Sequence, residues 1–408
     1  MGIEDLDIKD ITKLIDELSR FGGSEYNGVT RLLFDDNWIA AQNWLEHKFK
    51  ESGLDPYYDE VGNLYGRFTG DNTNKTILTG SHVDTVVSGG KLDGQYGIIA
   101  GLVAIEYLQK KFGKPKKNLE VVSMAEEEGS RFPFTFWGSK NIVSRVEESD
   151  VDDLIDEEGI LFLDAMKKAG FGLKTKPDRK DIEAFIELHV EQGGVLEIEK
   201  KAIGIVEHIV GQQRFTISLC GEANHAGTTP MNYRRDSLHA ASKMISEIMD
   251  RAIEYGDPLV ATVGKLDVNP NTSNVVPGRT IFTMDIRHTD AKIMSNYIEE
   301  TMEAIKLIAA KMKININIEK YMDGEPVPMD KVLVEIIKNK CTEKNIDFKM
   351  MHSGAGHDSQ MMASKFPTGL IFVPSKNGIS HNPQEYTKPE ELLEGVKALI
   401  EILYTLAY

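Results

Sequence analysis

Cysteine is scarce in this chain of 408 residues, which contains only Cys220 and Cys341. Two cysteines cannot form a framework of several disulfides, and two free thiols are typical of a reducing compartment. Residues 1–7 are acidic where a secretory signal would be basic and then apolar. These features predict a cytoplasmic protein.

Long apolar runs and an excess of basic residues are also missing. The most apolar stretch, residues 98–105, is followed at once by Glu106, so a buried helix explains it better than a membrane span. The formal net charge is −17 at pH 7, which disfavours nucleic acids and anionic membranes as partners. We therefore expect neither partner, and an anionic substrate would need local arginines to hold it.

Several widespread catalytic motifs are absent from the sequence. It has no His-Glu-x-x-His, no Gly-x-Ser-x-Gly, no Walker loop and no Gly-x-Gly-x-x-Gly. Their absence disfavours a zincin, a serine hydrolase of the nucleophile-elbow type, a P-loop enzyme and a dinucleotide-dependent enzyme.

The order of predicted elements favours an α/β fold. A helix with Asp36 as its predicted N-cap comes first, and residues 76–80, 96–112 and 119–125 then have the patterns of strand, helix and strand. A crossover of this length predicts a mostly parallel sheet flanked by helices, with ligand sites at the carboxyl ends of its strands.

Residues 212–325 follow a different order, βαββαβ, which is that of the ferredoxin-like arrangement. The α/β pattern resumes after them. We therefore predict an inserted domain at 212–325 within a catalytic domain formed by 1–211 and 326–408.

Polar side chains follow the first of the predicted strands. His82 and Asp84 lie just beyond it in the segment GSHVDT, and Asp93 lies in a glycine-dense loop that opens the next helix. A carboxylate near a histidine can orient a metal-ligating imidazole, and the Asp93 carboxylate is short enough to bridge two ions. The alternatives are a structural His–Asp pair and an ordinary turn in which Asp93 caps the helix.

Three consecutive carboxylates, Glu126 to Glu128, follow the next strand. They repel one another, and capping a helix needs only one of them. Bound cations would offset the repulsion, with one carboxylate as a ligand and its neighbour handling protons. The alternative is a solvated run of charge.

Three further histidines lie at a strand end or in glycine-containing loops. His189 ends the apolar strand 184–189, and His357 and His381 lie in the segments SGAGHD and NGISHNP. A buried core histidine and two turns with solvated histidines are the alternatives. Taken together, the histidines and carboxylates supply the nitrogen and oxygen ligands that suit Zn²⁺ or Mn²⁺, which predicts a metal site.

These motifs, in this order over essentially the whole chain, resemble the M20 peptidase superfamily of dinuclear metal enzymes, and more narrowly its carbamoylase branch. The resemblance implies two divalent metal ions per subunit, Zn²⁺ or Mn²⁺, held by His82, Asp93, Glu128, His189 and His381. Asp93 would bridge the ions, and Glu127 would be the general base.

The same resemblance assigns roles to residues of the insert. His225, in the segment GEANHAGTTP, would reach into the partner subunit's active site, so the insert would be a lid and dimerisation domain of a homodimer. Asn274 and Arg287 match the family's grip on the substrate carboxylate, and Arg214 lies in the matching substrate-binding segment.

Three segments resemble the allantoate amidohydrolases of that branch: RFPFTFWGSKNI, MDGEPVPM and MHSGAGHDSQ. The resemblance implies a small anionic ureido substrate, with allantoate and water giving ureidoglycine, ammonia and CO₂. An N-carbamoyl-L-amino acid hydrolase is the alternative within the enzyme class. A catalytically inactive binding protein on the same fold is a more distant one.

Overall fold

The computed structural model describes residues 6–24, 28–172 and 179–408. Its contacts divide the chain into two compact units. Unit 1 comprises Met1–Glu207 and Pro328–Tyr408, and unit 2 comprises His208–Val327. Unit 2 is slightly wider than the insert predicted at 212–325.

Within the described residues the helices are α1 (Ile8–Leu18), α2 (Asp36–Glu51), α3 (Gln95–Phe112), α4 (Trp137–Ile142), α5 (Phe162–Lys168), α6 (Val195–Glu199), α7 (Ser237–Tyr255), α8 (Ala291–Met312), α9 (Lys331–Glu343), α10 (Asp358–Met362) and α11 (Pro389–Ala407). The strands are β1 (Asp55–Tyr58), β2 (Leu64–Phe68), β3 (Asn72–His82), β4 (Lys117–Met124), β5 (Ile182–Val190), β6 (Ile203–Ile209), β7 (Gly211–Cys220), β8 (Asn224–His225), β9 (Val260–Thr262), β10 (Leu266–Asn269), β11 (Val275–Val276), β12 (Arg279–His288), β13 (Asn315–Gly324), β14 (Val327–Pro328), β15 (Phe348–Ser353) and β16 (Thr368–Val373). None of these helices is both long enough and apolar enough to cross a membrane.

The main sheet has the order β1-β2-β4-β3-β5-β16-β6-β14, with β15 also paired to β6. Its four central strands, β4, β3, β5 and β16, run parallel to one another. The β1–β2 hairpin pairs antiparallel with β4 on one side, and β6 pairs antiparallel with β16 on the other. The prediction of a mostly parallel sheet flanked by helices is confirmed.

Helix α3 is apolar on nearly all sides, and every residue from Gln95 through Ile105 is buried. A helix of this composition must be covered on several sides. It packs against β3 and α11, where the Tyr96 hydroxyl donates to the Leu392 carbonyl at 2.6 Å. This packing fixes the start of α3 close to the end of β3.

The N-cap of α2 corrects a detail of the sequence analysis. Asp36 was the expected cap, but Asp35 has the extended backbone of a cap residue, and its carboxylate accepts from the backbone N–H of Trp38 at 2.6 Å. Asp36 is the first residue of the helix instead. Two adjacent aspartates offer the same chemistry, so only the backbone conformation decides between them.

Unit 2 contains an antiparallel sheet of order β10-β12-β7-β13, in which β9 also pairs with β12. Helices α7 and α8 pack against this sheet. Along β7 the side chains alternate, with Phe215, Ile217 and Leu219 buried against the helices and the intervening residues half-buried. Strands β9 and β10 both pair with β12, so the chain order is the predicted βαββαβ with its second strand interrupted, and the strand order is that of a ferredoxin-like arrangement.

Candidate metal centre

Three adjacent parallel strands of unit 1 bring polar residues to one edge of the sheet. His82 is the last residue of β3, Glu126 to Glu128 follow β4, and His189 lies one residue before the end of β5. In the β3–β4 pairing His82 is opposite Met124, so the glutamates continue directly beyond it. The carboxyl ends of parallel strands meet at one edge, which is where α/β proteins place their ligand sites.

The Asp93 carboxylate lies at the centre of this group. Its Oδ1 is 3.1 Å from Nε2 of His189 and 3.6 Å from Nε2 of His82. Its Oδ2 is 3.2 Å from Nε2 of His381, whose Nε2 is also 3.2 Å from Oε1 of Glu128. One carboxylate therefore faces two different sets of side chains, one through each oxygen.

Within the described residues, three sets of side chains have potential ligand atoms that all lie within 4.8 Å of one another: His82, Asp93 and His189; Asp93, Glu128 and His381; and His82, Glu127 and Glu128. The first two sets share only Asp93. An arrangement of this kind fits two cations with a carboxylate between them, and its imidazole nitrogens and carboxylate oxygens suit Zn²⁺ or Mn²⁺.

Asp84 orients both His82 and the turn that carries the glutamates. Its Oδ1 lies 3.2 Å from Nδ1 of His82. The same carboxylate accepts hydrogen bonds from the backbone N–H of Glu127 at 3.0 Å and of Glu128 at 3.1 Å. The sequence indicated the pairing with His82, but the link to the glutamates depends on strands β3 and β4 being neighbours.

Asp93 and the neighbouring His381 shift each other's pKa in opposite directions: that of Asp93 is lowered and that of His381 is raised. Burial disfavours the Asp93 carboxylate, but hydrogen bonds from His189, His381 and His82 outweigh it and hold the pKa of Asp93 well below its usual range. Hydrogen bonds to Asp93 and Glu128 raise the pKa of His381 to about 10. The contact between Asp93 and His381 therefore favours the charged form of both groups.

The surroundings of Glu126 and Glu127 disfavour negative charge on these two carboxyl groups. Burial, together with the nearby Asp84, raises the pKa of Glu126 well above its usual range. Burial, together with the neighbouring Glu128, does the same to the pKa of Glu127. Hydrogen bonds from the backbone N–H groups of Ser130 and Gly129 offset only part of this effect on Glu126. Cations at this edge of the sheet would offset the repulsion between the neighbouring carboxylates. The residues present therefore fit the metal ions that the sequence predicted.

Unusual backbone conformations shape the surrounding loops. Gly94 has φ of +69°, and a Cβ at that position would lie 2.5 Å from ring atoms of His82, so only glycine allows this approach. His381 and Gln192 also have positive φ, 54° and 57°. Non-glycine residues rarely adopt this conformation, and its occurrence at two residues that contact Asp93 is typical of a functional site.

The sequence analysis missed two side chains that contact Asp93. Nε2 of Gln192 and the hydroxyl of Ser380 each donate to Oδ2 of Asp93 at 2.9 Å. Gln192 follows His189 by three positions and Ser380 precedes His381 by one. Their positions next to candidate ligands in the sequence were the only indication of this role. Sequence spacing does not show which neighbouring side chains point toward Asp93.

His357 and Asp358 lie behind the candidate ligands. The ring of His357 packs edge-on against that of His189, with centroids 4.6 Å apart, and its Nε2 is 3.0 Å from the Ser353 hydroxyl. Burial, together with nearby Glu187, raises the pKa of Asp358 to about 8. The turn SGAGHD therefore does not carry a solvated histidine, since His357 is 2% exposed.

Two of the predicted substrate residues, Arg214 and Arg287, lie together on the sheet of unit 2. In the β7–β12 pairing Arg214 is opposite Asp285, and Arg287 is two residues further along β12. The Asp285 carboxylate accepts from Nε of Arg214 at 2.8 Å and from Nε and Nη2 of Arg287 at 3.1 Å each. Asp285, which the sequence analysis did not single out, therefore orients both guanidinium groups.

The third predicted substrate-binding residue, Asn274, and the predicted catalytic residue His225 lie at the small β8–β11 ribbon of unit 2. His225 pairs with Val275, and the carbonyl of Asn274 accepts from the backbone N–H of Ala226 at 2.9 Å. Nδ1 of His225 accepts from the backbone N–H groups of Gly227 at 3.0 Å and Thr228 at 3.2 Å. These bonds favour the neutral tautomer whose proton is on Nε2.

Comparisons with known proteins identify the family of this chain. Residues 78–405 match the model of the peptidase family M20/M25/M40. The chain is 50% identical over 394 residues to the allantoate amidohydrolase of Escherichia coli (strain K12), with 96% of each chain covered. It is 43% identical over 401 residues to the allantoate amidohydrolase of Bacillus subtilis (strain 168), covering 98% of this chain and 97% of that one.

A solved structure is also similar over nearly the full length. It is that of an amidase of the hydantoinase/carbamoylase family from Burkholderia multivorans, with a TM-score of 0.93 and 31% sequence identity. The match covers 98% of each chain. The likeness in sequence and in fold therefore extends over both units.

Proposed function

The chain belongs to the peptidase family M20/M25/M40, and from this membership we propose that it is a metal-dependent amidohydrolase that cleaves a ureido C–N bond of allantoate. The products would be ureidoglycine, ammonia and CO₂. The observation that carries the proposal is the Asp93 carboxylate, which faces His189 through one oxygen and His381 through the other. Family membership supports the reaction class, and the two bacterial relatives named allantoate amidohydrolase support the substrate.

The proposed centre would hold two divalent ions, Zn²⁺ or Mn²⁺, with Asp93 belonging to both ligand sets. His82 and His189 would complete one ligand set, and Glu128 and His381 the other. Ions in these positions would lower the pKa of a water molecule and polarise the ureido carbonyl. Asp84 supports the centre by holding Nδ1 of His82, which directs Nε2 of that ring toward Asp93.

Glu127 is the proposed general base. A carboxylate oxygen of Glu127 lies close to ligand atoms of His82 and Glu128, so the group can receive a proton from a water molecule there. The same carboxyl would then return the proton to the leaving nitrogen as the C–N bond breaks. Since Glu127 also belongs to one candidate ligand set, its role as base rather than ligand is part of the proposal.

His225 is the proposed hydrogen-bond donor to the ureido oxygen as negative charge develops on it. The backbone N–H groups of Gly227 and Thr228 donate hydrogen bonds to Nδ1. The ring proton therefore lies on Nε2, which can donate a hydrogen bond to the substrate. By resemblance to the family, this histidine would serve the partner's site in a cytoplasmic homodimer. Two-fold dimers are the commonest oligomers.

Arg287 and Arg214 are the proposed partners of the substrate carboxylate, with Asn274 assisting. Asp285 forms an ion pair with both guanidinium groups. Its negative charge reduces the repulsion between these two positively charged side chains on neighbouring strands. Arginine can hold a carboxylate through two parallel hydrogen bonds, a geometry that lysine cannot reproduce. A small anionic substrate would be held here despite the net charge of −17.

An ammonia-release assay tests the proposal. Metal-stripped protein should release ammonia from allantoate only after Mn²⁺ or Zn²⁺ is added, and a Glu127→Gln sample purified in parallel should control for contaminating enzymes. Absence of ammonia from allantoate under all metal conditions would contradict the proposed substrate.

One observation favours a second candidate, an N-carbamoyl-L-amino acid hydrolase. The amidase from Burkholderia multivorans, whose fold is similar over both units, belongs to the hydantoinase/carbamoylase family. N-carbamoyl-L-amino acids should therefore be assayed beside allantoate with the same protein. A higher kcat/KM for the N-carbamoyl compounds would favour this second candidate while leaving the metal centre as proposed.

A further inference from the structure

We infer that Glu385 is a positioning residue that holds the loop of Asp93 and the loop of His381 together at the metal centre. The inference rests on the proposed function, because it assumes that Asp93 and His381 are metal ligands. Glu385 lies in the segment that follows His381, and its side chain is directed into the protein with 5% of the residue exposed. None of the metal motifs includes it.

One oxygen of Glu385 binds the loop that carries Asp93. Its Oε2 accepts hydrogen bonds from the backbone N–H of Leu92 at 2.8 Å and of Asp93 at 3.1 Å. Two bonds to consecutive amides fix the peptide plane immediately before the Asp93 side chain. Because two neighbouring N–H groups converge on one oxygen, Glu385 restrains the direction in which Asp93 points.

The other oxygen binds the loop that carries His381. The Ser380 hydroxyl lies 3.0 Å from Oε1 of Glu385 and 2.9 Å from Oδ2 of Asp93. A hydroxyl has one hydrogen to donate, and here it lies between two carboxylates. Ser380 can therefore donate to only one of the two carboxylates at a time, and its hydroxyl lies between Glu385 and the loop of Asp93.

The backbone at Gly90 approaches the Glu385 side chain closely. A Cβ at Gly90 would lie 1.9 Å from Oε2 and 2.3 Å from the carboxyl carbon of Glu385. The backbone of the Asp93 loop thus approaches the carboxylate as closely as glycine permits. This close fit distinguishes Glu385 from a surface carboxylate that happens to cap a turn.

Metal binding to three variants tests the inference. Glu385→Leu removes both connections, Ser380→Ala removes only the hydroxyl link, and Glu385→Gln keeps an oxygen for the backbone amides and gains an N–H₂ that can donate to Ser380. Loss of groups that orient metal ligands typically weakens metal affinity ~10–100-fold. We therefore expect that loss of Mn²⁺ affinity in Glu385→Leu, a smaller loss in Ser380→Ala and the smallest in Glu385→Gln, measured by calorimetric titration of metal-stripped protein.

Asp330→Ala is the matched control. Asp330 also accepts from two consecutive backbone amides, those of Val332 and Leu333 at 2.9 Å each, but it caps α9 and contacts no candidate ligand. This variant should bind Mn²⁺ as the parent protein does. Circular dichroism and thermal unfolding would show that each variant is folded.

The outcomes separate this inference from the proposed function. Parent-like Mn²⁺ affinity in folded Glu385→Leu would overturn the positioning role while the metal centre stands. Should Glu385→Leu fail to fold, Glu385→Ala replaces it, and unchanged Mn²⁺ affinity in that folded variant would overturn the inference in the same way. A parent protein that binds no metal would instead contradict the proposed function itself.

Discussion

Oδ2 of Asp93 lies 3.2 Å from Nε2 of His381, although the two residues are far apart in the sequence and lie in different loops. The other oxygen of the same carboxylate lies 3.1 Å from Nε2 of His189. A carboxylate placed between two histidines in this way can contact two cations at once. Several properties of the protein should therefore depend on Asp93 more than on any other single side chain.

Metal content should respond differently to substitutions at Asp93 and His381. Asp93→Ala removes the group shared by the two ligand sets, so both ions should be lost. His381→Ala affects only the set of Asp93, Glu128 and His381, so one ion per chain should remain. Elemental analysis after dialysis measures both. Equal metal content in the two variants would argue against Asp93 as the bridge.

Metal binding at pH 7 should release protons. Hydrogen bonds to Asp93 and Glu128 raise the pKa of His381 to about 10, so the metal-free protein carries a proton there at pH 7. A ligating imidazole must be neutral, and metal affinity should therefore increase as the pH rises from 7 toward 10. Calorimetric titration in buffers of different ionisation enthalpy would detect the released protons. An observed enthalpy that is independent of the buffer would contradict this prediction.

Glu127→Gln should separate metal binding from turnover. If Glu127 acts as the base, the amide cannot accept the proton, and kcat should decrease ~10²–10⁴-fold while both ions are retained. Ammonia release and elemental analysis on one preparation measure the two properties together. Loss of an ion in this variant would show that Glu127 is a ligand, and near-normal turnover would place the base elsewhere.

Arg287→Lys should raise KM for the anionic substrate with a smaller effect on kcat. The substitution keeps the charge but removes the paired hydrogen bonds, and a hydrogen bond to a charged group contributes about 1.5–3 kcal/mol, or ~10–100-fold in KM. Arg251→Lys is the control, because Arg251 lies on α7 of the same unit and pairs with Glu247 and Glu300. An unchanged KM for Arg287→Lys would remove this residue from substrate binding.

Mixing two inactive variants should restore activity if His225 acts across a dimer. Glu127→Gln protein and His225→Ala protein would be combined under conditions that allow subunits to exchange. A mixed dimer would contain one site with both defects and one with neither, so up to half of the sites in that dimer would be intact. No recovery after demonstrated exchange would show that each chain uses its own His225 or none.

The sequence by itself determined the architecture of unit 1 and the identity of the candidate ligands. Strand, helix and strand patterns from Thr76 onward predicted a parallel sheet, because crossover connections of that length allow few alternatives. The same rule placed His82 and Glu128 at one edge of the sheet. The family resemblance, carried by motifs around these residues, supplied the assignment of roles.

Only the tertiary structure decided which neighbours of these motifs support them. Asp84 contacts the glutamate turn because β3 and β4 are adjacent, and Asp285 joins two arginines because β7 and β12 pair in a particular register. Glu385 meets the loop of Asp93 because glycine at position 90 allows the two segments to approach. Such contacts join residues from distant parts of the chain. Spacing within one sequence carries no information about them, since they depend on packing and on backbone conformation at a few positions.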